Sequence, residues 1–182
     1  MTIPNQLTLL RILLIPVFVL VYYLPFSWNN IFACMIFVLA AVTDILDGYL
    51  ARKLSQTSSL GAFLDPVADK LMVAVALVLL VQRDHTIVLA LPAAVIIGRE
   101  IAVSALREWM AEVGASSKVA VSVWGKVKTI AQMVAVGFLI FHDPIFGIPV
   151  ELIGLILLYI AAILTLISMF QYILAAWPKL IE

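Results

Sequence analysis

Apolar residues occur in long, nearly unbroken runs along the whole chain. A helix needs about 20 such residues to cross the hydrocarbon core of a bilayer, and each run is close to that length. Clusters of turn-forming residues such as Pro, Gly, Asn, Ser and Asp separate the runs. The pattern predicts six membrane-spanning helices, at Leu7–Leu24, Trp28–Leu50, Gly61–Val81, Ile87–Glu112, Val119–Phe141 and Val150–Ala176.

The composition agrees with lipid as the solvent for this chain. Of its 182 residues, 65% are hydrophobic and 12% are charged, whereas soluble domains carry about 25% charged residues. The single cysteine, Cys34, lies inside an apolar run, which excludes a disulfide framework and a thiolate metal site. No linker or internal repeat interrupts the pattern, so we expect one membrane domain over residues 1–182.

The basic residues indicate how the helices are oriented. All 11 Lys and Arg residues except Arg83 fall near the N-terminus, the second-to-third connection, the fourth-to-fifth connection or the C-terminus. Lys and Arg concentrate in cytoplasmic segments, so the expected fold is an all-α integral membrane protein with six transmembrane helices and both termini cytoplasmic. Membrane lipids are the expected surroundings, and no nucleic acid is expected as a partner.

Four aspartates lie within or at the predicted cytoplasmic ends of two helices, where an ionisable group is costly unless it is paired or hydrated. They belong to the pattern D-x-x-D-G-x-x-A-R, followed eight residues later by G-x-x-x-D-x-x-x-D. Helical spacing places Asp44 and Asp47 on one face of the second helix, and Asp65 and Asp69 on one face of the third. The short connection predicts antiparallel neighbours, so the four carboxylates should converge at one depth.

A donor set made only of carboxylate oxygens selects hard divalent cations such as Mg²⁺ or Mn²⁺. Four carboxylates suit two such ions, which can polarise a phosphoryl oxygen and stabilise a leaving group. Gly48 and Ala51 leave room for a ligand, although small residues also serve ordinary helix packing. Arg52 can bind a diphosphate through two hydrogen bonds, and the hydroxyl of Ser58 at the next helix start can meet a phosphate.

The complete skeleton resembles the signature of the CDP-alcohol phosphotransferases, and every signature position is filled. The resemblance implies that Asp44, Asp47 and Asp65 bind metal ions, and that Asp69 is both a ligand and the general base. The opening stretch PNQLTLLR also resembles the N-terminal element of this family. Together, these matches imply that the CDP moiety is bound by Asn5, Thr8, Gly48, Ala51, Arg52 and Ser58.

Three further stretches resemble the bacterial members of the family that use glycerol 3-phosphate as the acceptor. They are GAFLDPVADK, REIAVSALREWMAE and GKVKTIAQM. The resemblance implies that the phosphatidyl group of CDP-diacylglycerol is transferred to this acceptor and that CMP is released. It further implies a multi-pass chain in the bacterial cytoplasmic (inner) membrane, an active site that faces the cytoplasm, and a homodimer.

The phosphate of the acceptor requires cations of its own. Arg99 and Arg107 lie about 80° around and roughly 12 Å along the fourth helix from each other, and Lys126 and Lys128 begin the fifth helix. We predict that these four residues bind the acceptor phosphate. Lys126 and Lys128 point about 200° apart, so we do not expect both to contact one ligand. The alternative is that these cations only anchor helix ends at the membrane surface.

Two other functions compete with this interpretation. A related enzyme of the same family could use inositol phosphate, serine or phosphatidylglycerol as its acceptor, and only the long match outside the shared motif argues against it. A divalent-cation transporter would also carry carboxylates inside the membrane. Transporter sites, however, lie near the midplane between repeated halves, and this chain has no visible repeat.

Overall fold

The computed structural model of the protein describes residues 3–54, 59–114 and 123–180. These residues form an all-α fold, as the sequence predicts. The six helices are α1 (Ile3–Tyr23), α2 (Asn29–Leu54), α3 (Ser59–Asp84), α4 (Ile87–Glu112), α5 (Val123–Phe141) and α6 (Val150–Leu180). Within the described ranges, α1, α2, α4 and α6 each contain a stretch that is long and apolar enough to cross a membrane.

The helices follow the predicted apolar runs but extend beyond them at polar ends. The α2 helix continues to Leu54 and α6 continues to Leu180, each past the last apolar residue of its run. Backbone hydrogen bonds hold these turns whether or not the side chains are apolar. The α4 helix has the predicted bounds, whereas the predicted start of the fifth helix at Val119 lies outside the described residues.

The helices alternate in direction, so that the bundle has two chemically distinct ends. We call one the carboxylate end, because it carries these side chains: Arg11, Asp44, Lys70, Glu100 and Lys128. The other is called the opposite end, and it carries these side chains: Tyr22, Arg83, His142 and Glu151. The described chain begins and ends at the carboxylate end.

The apolar core fills the half of the bundle that is nearer to the opposite end. Each helix contributes to it, and the completely buried side chains include Phe18, Phe37, Leu77, Ile96, Ile140 and Leu158. Many other apolar side chains, such as Leu13, Ile87 and Phe170, point outward and are more than half exposed. An outer surface of this kind suits contact with lipid tails.

The α1 helix packs against both α2 and α3, which touch each other much less. Among the described residues, each of these two helices therefore contacts α1 more than it contacts the other, a detail that the short connection alone did not indicate. On the other side of the bundle, α5 and α6 pack closely at Gly154. A Cβ atom at Gly154 would lie 3.0 Å from the Cβ of Phe138 and 3.1 Å from the carbonyl oxygen of Ala135.

Polar contacts close the opposite end of the bundle. The Tyr22 hydroxyl donates to the carbonyl oxygen of Leu79 at 3.4 Å, and the Arg83 guanidinium donates to the carbonyl oxygen of Leu139 at 2.8 Å. The ring nitrogen Nδ1 of His142 lies 3.3 Å from Arg83 and 3.3 Å from Glu151. These contacts join α1 to α3 and connect α3, α5 and α6.

Candidate active site

The first helix brings three polar residues into the carboxylate end of the bundle. Asn5, Thr8 and Arg11 recur every three residues, so they lie along one side of α1. Their side chains are buried, with exposed fractions of 6%, 0% and 1%. Farther along the helix, the buried residues are the aromatic Phe18 and Tyr22. One helix thus contributes polar groups to the site and apolar groups to the core.

Arg11 binds Asp44, the one aspartate of the motif whose side chain the structure describes. The Nη1 atom of Arg11 lies 2.8 Å from the Oδ1 atom of Asp44. The Asp44 side chain is 39% exposed even though its partner is almost completely buried. A carboxylate can accept several hydrogen bonds, so Asp44 can bind a further ligand while Arg11 fixes its orientation.

A cavity of about 350 Å³ opens beside this ion pair, between the first five helices. Its charged lining residues are Arg11, Asp44, Lys70 and Glu100. Its other polar lining residues are Thr129 and Gln132 on α5. The remaining lining residues are apolar, and they extend from this level toward the middle of the bundle: Ala40, Ala41, Leu71, Met72, Val73, Ala74, Ile96, Ile97, Ile101 and Met133.

Glu100 joins two of the predicted acceptor-binding cations. Its Oε1 atom lies 2.5 Å from the Nζ atom of Lys128 and 3.1 Å from the Nη1 atom of Arg99. Arg99 also donates through Nη2 to the Ser168 hydroxyl at 2.7 Å. Lys128 and Arg99 are both buried. One carboxylate between two cations leaves a local excess of positive charge, which favours the approach of an anion.

Two of the predicted cations also share an aromatic ring. The guanidinium carbons of Arg99 and Arg107 lie 5.6 Å and 5.4 Å from the centre of the Tyr172 ring, within the range of cation–π attraction. Arg107 is exposed, in contrast to Arg99. The structure therefore brings Arg99, Arg107 and Lys128 to one region, where α4, α5 and α6 meet.

Lys70 reaches the same region from α3. Its ammonium group donates to the hydroxyl of Ser104 on α4, and that hydroxyl donates in turn to the carbonyl oxygen of Glu100 at 2.5 Å. Lys70 is half-buried and lines the cavity. It follows Asp69 directly in the sequence, so it belongs to the same turn of α3 as the expected general base.

Several predicted site residues cannot be compared with the structure at the level of side chains. Ser58 lies outside the described residues. For the following residues the structure describes the helix but not the position of the residue's side chain or its surroundings: Asp47, Gly48, Ala51, Arg52, Asp65, Asp69 and Lys126. Their positions in the chain fall on α2, α3 and α5. Their roles stay predictions.

Six contacting residues were not predicted for the site: Arg11, Lys70, Glu100, Ser104, Ser168 and Tyr172. Lys70 and Glu100 are charged residues in an apolar sequence, and that signal could have singled them out. Ser104, Ser168 and Tyr172 carry no such signal, because serine and tyrosine are ordinary residues in membrane helices. The packing of α4 against α6 identifies Ser168 and Tyr172, and the contact of α3 with α4 identifies Ser104.

The described side chains are compatible with a bound divalent cation at the carboxylate end. Asp44 supplies an oxygen donor that is accessible beside the cavity and oriented by Arg11. Carboxylate oxygens are suitable ligands for hard divalent ions. Among the side chains that the structure describes, no group of three potential metal ligands occurs, so the predicted ligand set depends on Asp47, Asp65 and Asp69.

Comparison with known proteins gives one consistent family. The sequence profile described as CDP-alcohol phosphatidyltransferase matches residues 1–170. A Pseudomonas fluorescens protein is 58% identical over 181 residues, which cover 99% of this chain and 92% of that protein. A protein of Yersinia pestis (strain Pestoides F) is 57% identical over 183 residues, which cover 100% of this chain and 98% of that protein.

A third relative, from Shigella flexneri serotype 5b (strain 8401), is 54% identical over 180 residues, which cover 99% of this chain and 97% of that protein. All three relatives carry the name CDP-diacylglycerol–glycerol-3-phosphate 3-phosphatidyltransferase. The match extends well beyond the aspartate motif and includes every helix of the fold. The chain belongs to the CDP-alcohol phosphatidyltransferase family.

Proposed function

We propose that this protein transfers the phosphatidyl group of CDP-diacylglycerol to glycerol 3-phosphate, producing phosphatidylglycerophosphate and CMP. The observation that carries the proposal is the 54–58% identity, over nearly the whole chain, to relatives named for this reaction. Identity of this extent includes the regions outside the shared motif, where acceptor specificity has to be encoded. The enzyme is a CDP-diacylglycerol-dependent phosphatidyltransferase of phospholipid biosynthesis.

The donor would be bound at the carboxylate end by the residues of the family signature. Asn5 and Thr8 reach this end on the buried side of α1, which supports their proposed role beside the nucleotide. The remaining donor-binding residues of the proposal are Gly48, Ala51, Arg52 and Ser58. Divalent metal ions are used generally in this family, and we propose Mg²⁺ or Mn²⁺, two ions in all, held by Asp44, Asp47, Asp65 and Asp69.

The proposed reaction is a direct displacement at phosphorus. Asp69 accepts the proton of the acceptor hydroxyl, whose oxygen attacks the β-phosphorus of CDP-diacylglycerol. The bond from that phosphorus to the bridging oxygen breaks, and CMP departs with the electron pair. Divalent ions, when bound, supply positive charge for the phosphate of CMP. Arg11 keeps the Asp44 carboxylate oriented throughout, and no covalent enzyme intermediate is required.

The acceptor phosphate is proposed to bind beside α4 and α5, where Arg99, Arg107, Lys126 and Lys128 belong to the predicted set. The Arg99 side chain supports this role, because its Nε atom is buried without a hydrogen-bond partner among the described residues. A dianion would find an available donor there, together with the excess charge around Glu100. Arg107, which is exposed, would guide the acceptor from the water phase.

We also propose the full topology that the basic residues indicate. All six helices cross the membrane, both termini are cytoplasmic, and the carboxylate end faces the cytoplasm of a bacterial inner membrane. The location of Arg11, Lys70, Arg99, Arg107 and Lys128 at one end of the bundle supports this orientation. The family resemblance adds a homodimer as the proposed assembly.

The test is CMP release by the purified protein in mixed micelles of detergent and CDP-diacylglycerol. Glycerol 3-phosphate, inositol phosphate, serine and phosphatidylglycerol are each added as the acceptor, and the lipid product is identified by mass spectrometry. We expect fast CMP release with glycerol 3-phosphate only, and phosphatidylglycerophosphate as the product. Faster release with another acceptor would assign the protein to a related enzyme. Release that no acceptor accelerates would contradict transferase activity.

A further inference from the structure

The geometry points to Gln132 as a specificity-determining residue that hydrogen-bonds to the non-reacting hydroxyl of the acceptor. This inference rests on the proposed function, because it assigns the acceptor to the cavity between the first five helices. Gln132 lies on α5, one helical turn beyond Lys128, and lines that cavity. No role could be predicted for it, because a single neutral amide in a helix carries no signal of function.

The amide oxygen of Gln132 is buried and has no partner among the described residues. The residue as a whole is 5% exposed. A buried polar group without a partner is costly, and buried amides in folded proteins are almost always hydrogen-bonded. Because Gln132 lines a cavity large enough for a small polyol, a ligand in that cavity is the natural partner for it.

The lining of the cavity determines what kind of ligand fits. At the level of Asp44 the cavity is bordered by charged groups, namely Arg11, Asp44, Lys70 and Glu100. Deeper in the bundle most of the other lining residues are apolar, including Ile96 and Met133. A suitable ligand therefore combines charged or reacting groups at the level of Asp44 with one uncharged polar group that points inward.

Glycerol 3-phosphate has this distribution of groups. Its reacting hydroxyl has to face the carboxylates, and its phosphate requires the cations beside Glu100, which are Arg99 and Lys128. The middle hydroxyl of the glycerol is then free to point toward Gln132. The Oε1 atom of Gln132 accepts a hydrogen bond, so the middle hydroxyl would donate to it. A site built to bind a hydroxyl strongly rejects an analogue that lacks it.

The experiment compares two acceptors that differ by the middle hydroxyl alone: glycerol 3-phosphate and 3-hydroxypropyl phosphate. The wild-type enzyme should prefer glycerol 3-phosphate by about tenfold or more in kcat/KM. The variant Gln132→Met keeps the length of the side chain but removes both hydrogen-bonding groups. It should lose most of this preference, through a lower kcat/KM for glycerol 3-phosphate, while the KM for CDP-diacylglycerol stays unchanged.

The matched control is Gln171→Met, which makes the same change at an exposed position on α6. It should keep the wild-type activity and the wild-type preference. If Gln132→Met does not fold, the same comparison is made with Gln132→Asn. Its shorter amide should also reduce the preference for glycerol 3-phosphate over 3-hydroxypropyl phosphate. A purely structural role would lower both activities equally and leave their ratio unchanged.

Equal use of the two acceptors by the wild-type enzyme would overturn the inference, and so would an unchanged preference in the Gln132 variants. Neither result would affect the proposed function, since transfer to glycerol 3-phosphate would still be observed. Failure of the proposed function would appear differently, as a wild-type enzyme that releases no CMP in response to glycerol 3-phosphate.

Discussion

At the opposite end of the bundle, charged and polar side chains bind backbone carbonyl groups and one another across neighbouring helices. Arg83 donates to the carbonyl oxygen of Leu139 and lies beside His142, which contacts Glu151. At the carboxylate end, the charged side chains surround a cavity. Arg11 and Asp44 form one pair there, while Arg99 and Lys128 share the single carboxylate of Glu100.

The opposite end therefore mainly stabilises the fold, whereas the carboxylate end contains the residues of the proposed reaction. The opposite end has the apolar core beside it, and its polar groups form hydrogen bonds between helices, although the Nη1 atom of Arg83 is buried without a partner among the described residues. The carboxylate end also leaves the Oε1 atom of Gln132 and the Nε atom of Arg99 without partners among the described residues, but there Gln132 lines a cavity that can hold a ligand. Unsatisfied groups of this kind lower stability, and they are tolerated where a ligand completes them. Changes at the two ends should therefore produce different defects.

The largest expected effect comes from removing divalent metal ions. Chelation should abolish turnover, and added Mg²⁺ or Mn²⁺ should restore it, because carboxylates at the carboxylate end are the proposed ligands. Zn²⁺ should substitute poorly, since the proposed site lacks His and Cys ligands. CMP release in buffers with defined metal content is the measurement. Full activity without any divalent ion would contradict the metal-dependent mechanism.

Asp69→Asn should reduce turnover by about a hundredfold to ten-thousandfold, because an amide cannot accept the proton of the acceptor hydroxyl. Binding of CDP-diacylglycerol should persist. The matched control is Asp84→Asn near the opposite end, where the carboxylate is exposed and accepts a hydrogen bond from Thr86 at 2.9 Å. That control should keep normal turnover. Normal turnover in Asp69→Asn would remove the general-base assignment.

Arg107→Ala should raise the KM for glycerol 3-phosphate about tenfold to a hundredfold, through the loss of a charge-assisted hydrogen bond to its phosphate. The KM for CDP-diacylglycerol should change little. Arg107→Lys should recover only part of the loss, because an ammonium group cannot replace the planar guanidinium that lies over the Tyr172 ring. Steady-state kinetics with each substrate varied in turn provide the test. An effect on the lipid donor alone would mean that the acceptor site is elsewhere.

The smallest effect on catalysis is expected at the opposite end. Arg83→Ala removes the donor to the carbonyl oxygen of Leu139, which should lower the free energy of unfolding by about 1–3 kcal/mol. Both KM values should stay as in the wild type. Unfolding followed in detergent, with kinetics measured on the same preparation, gives both quantities. A changed KM for glycerol 3-phosphate would show that the two ends are coupled.

The helices could be predicted from the sequence because lipid imposes a simple rule. Long apolar runs have to form helices, and all six predicted runs correspond to helices of the structure, with α4 at the predicted bounds. The predicted ends of the helices were less accurate, because polar residues such as those before Leu54 can continue a helix without any apolar signal in the sequence. Arg11 was used only as a marker of topology, although it contacts Asp44 directly.

The sequence indicated the candidate site most clearly where a motif exists. The aspartate pattern is long and specific, and it led to the family that the comparisons show. The contacts of Glu100 with Lys128 and Arg99 depend on how α4 and α5 pack, which no local spacing encodes. The same holds for Ser168 and Tyr172 on α6. Gln132 was recognised as a candidate site residue only because it lines the cavity.

The buried Arg11 on the first helix has a consequence for how the chain is made. Its ion pair with Asp44 cannot form until the ribosome has added 33 more residues, which takes about 2–7 seconds at typical rates of synthesis. An arginine within a membrane helix costs about 2.5–3.5 kcal/mol at the bilayer centre. We therefore expect α1 to leave the insertion machinery together with α2, as a helical hairpin already joined by this contact.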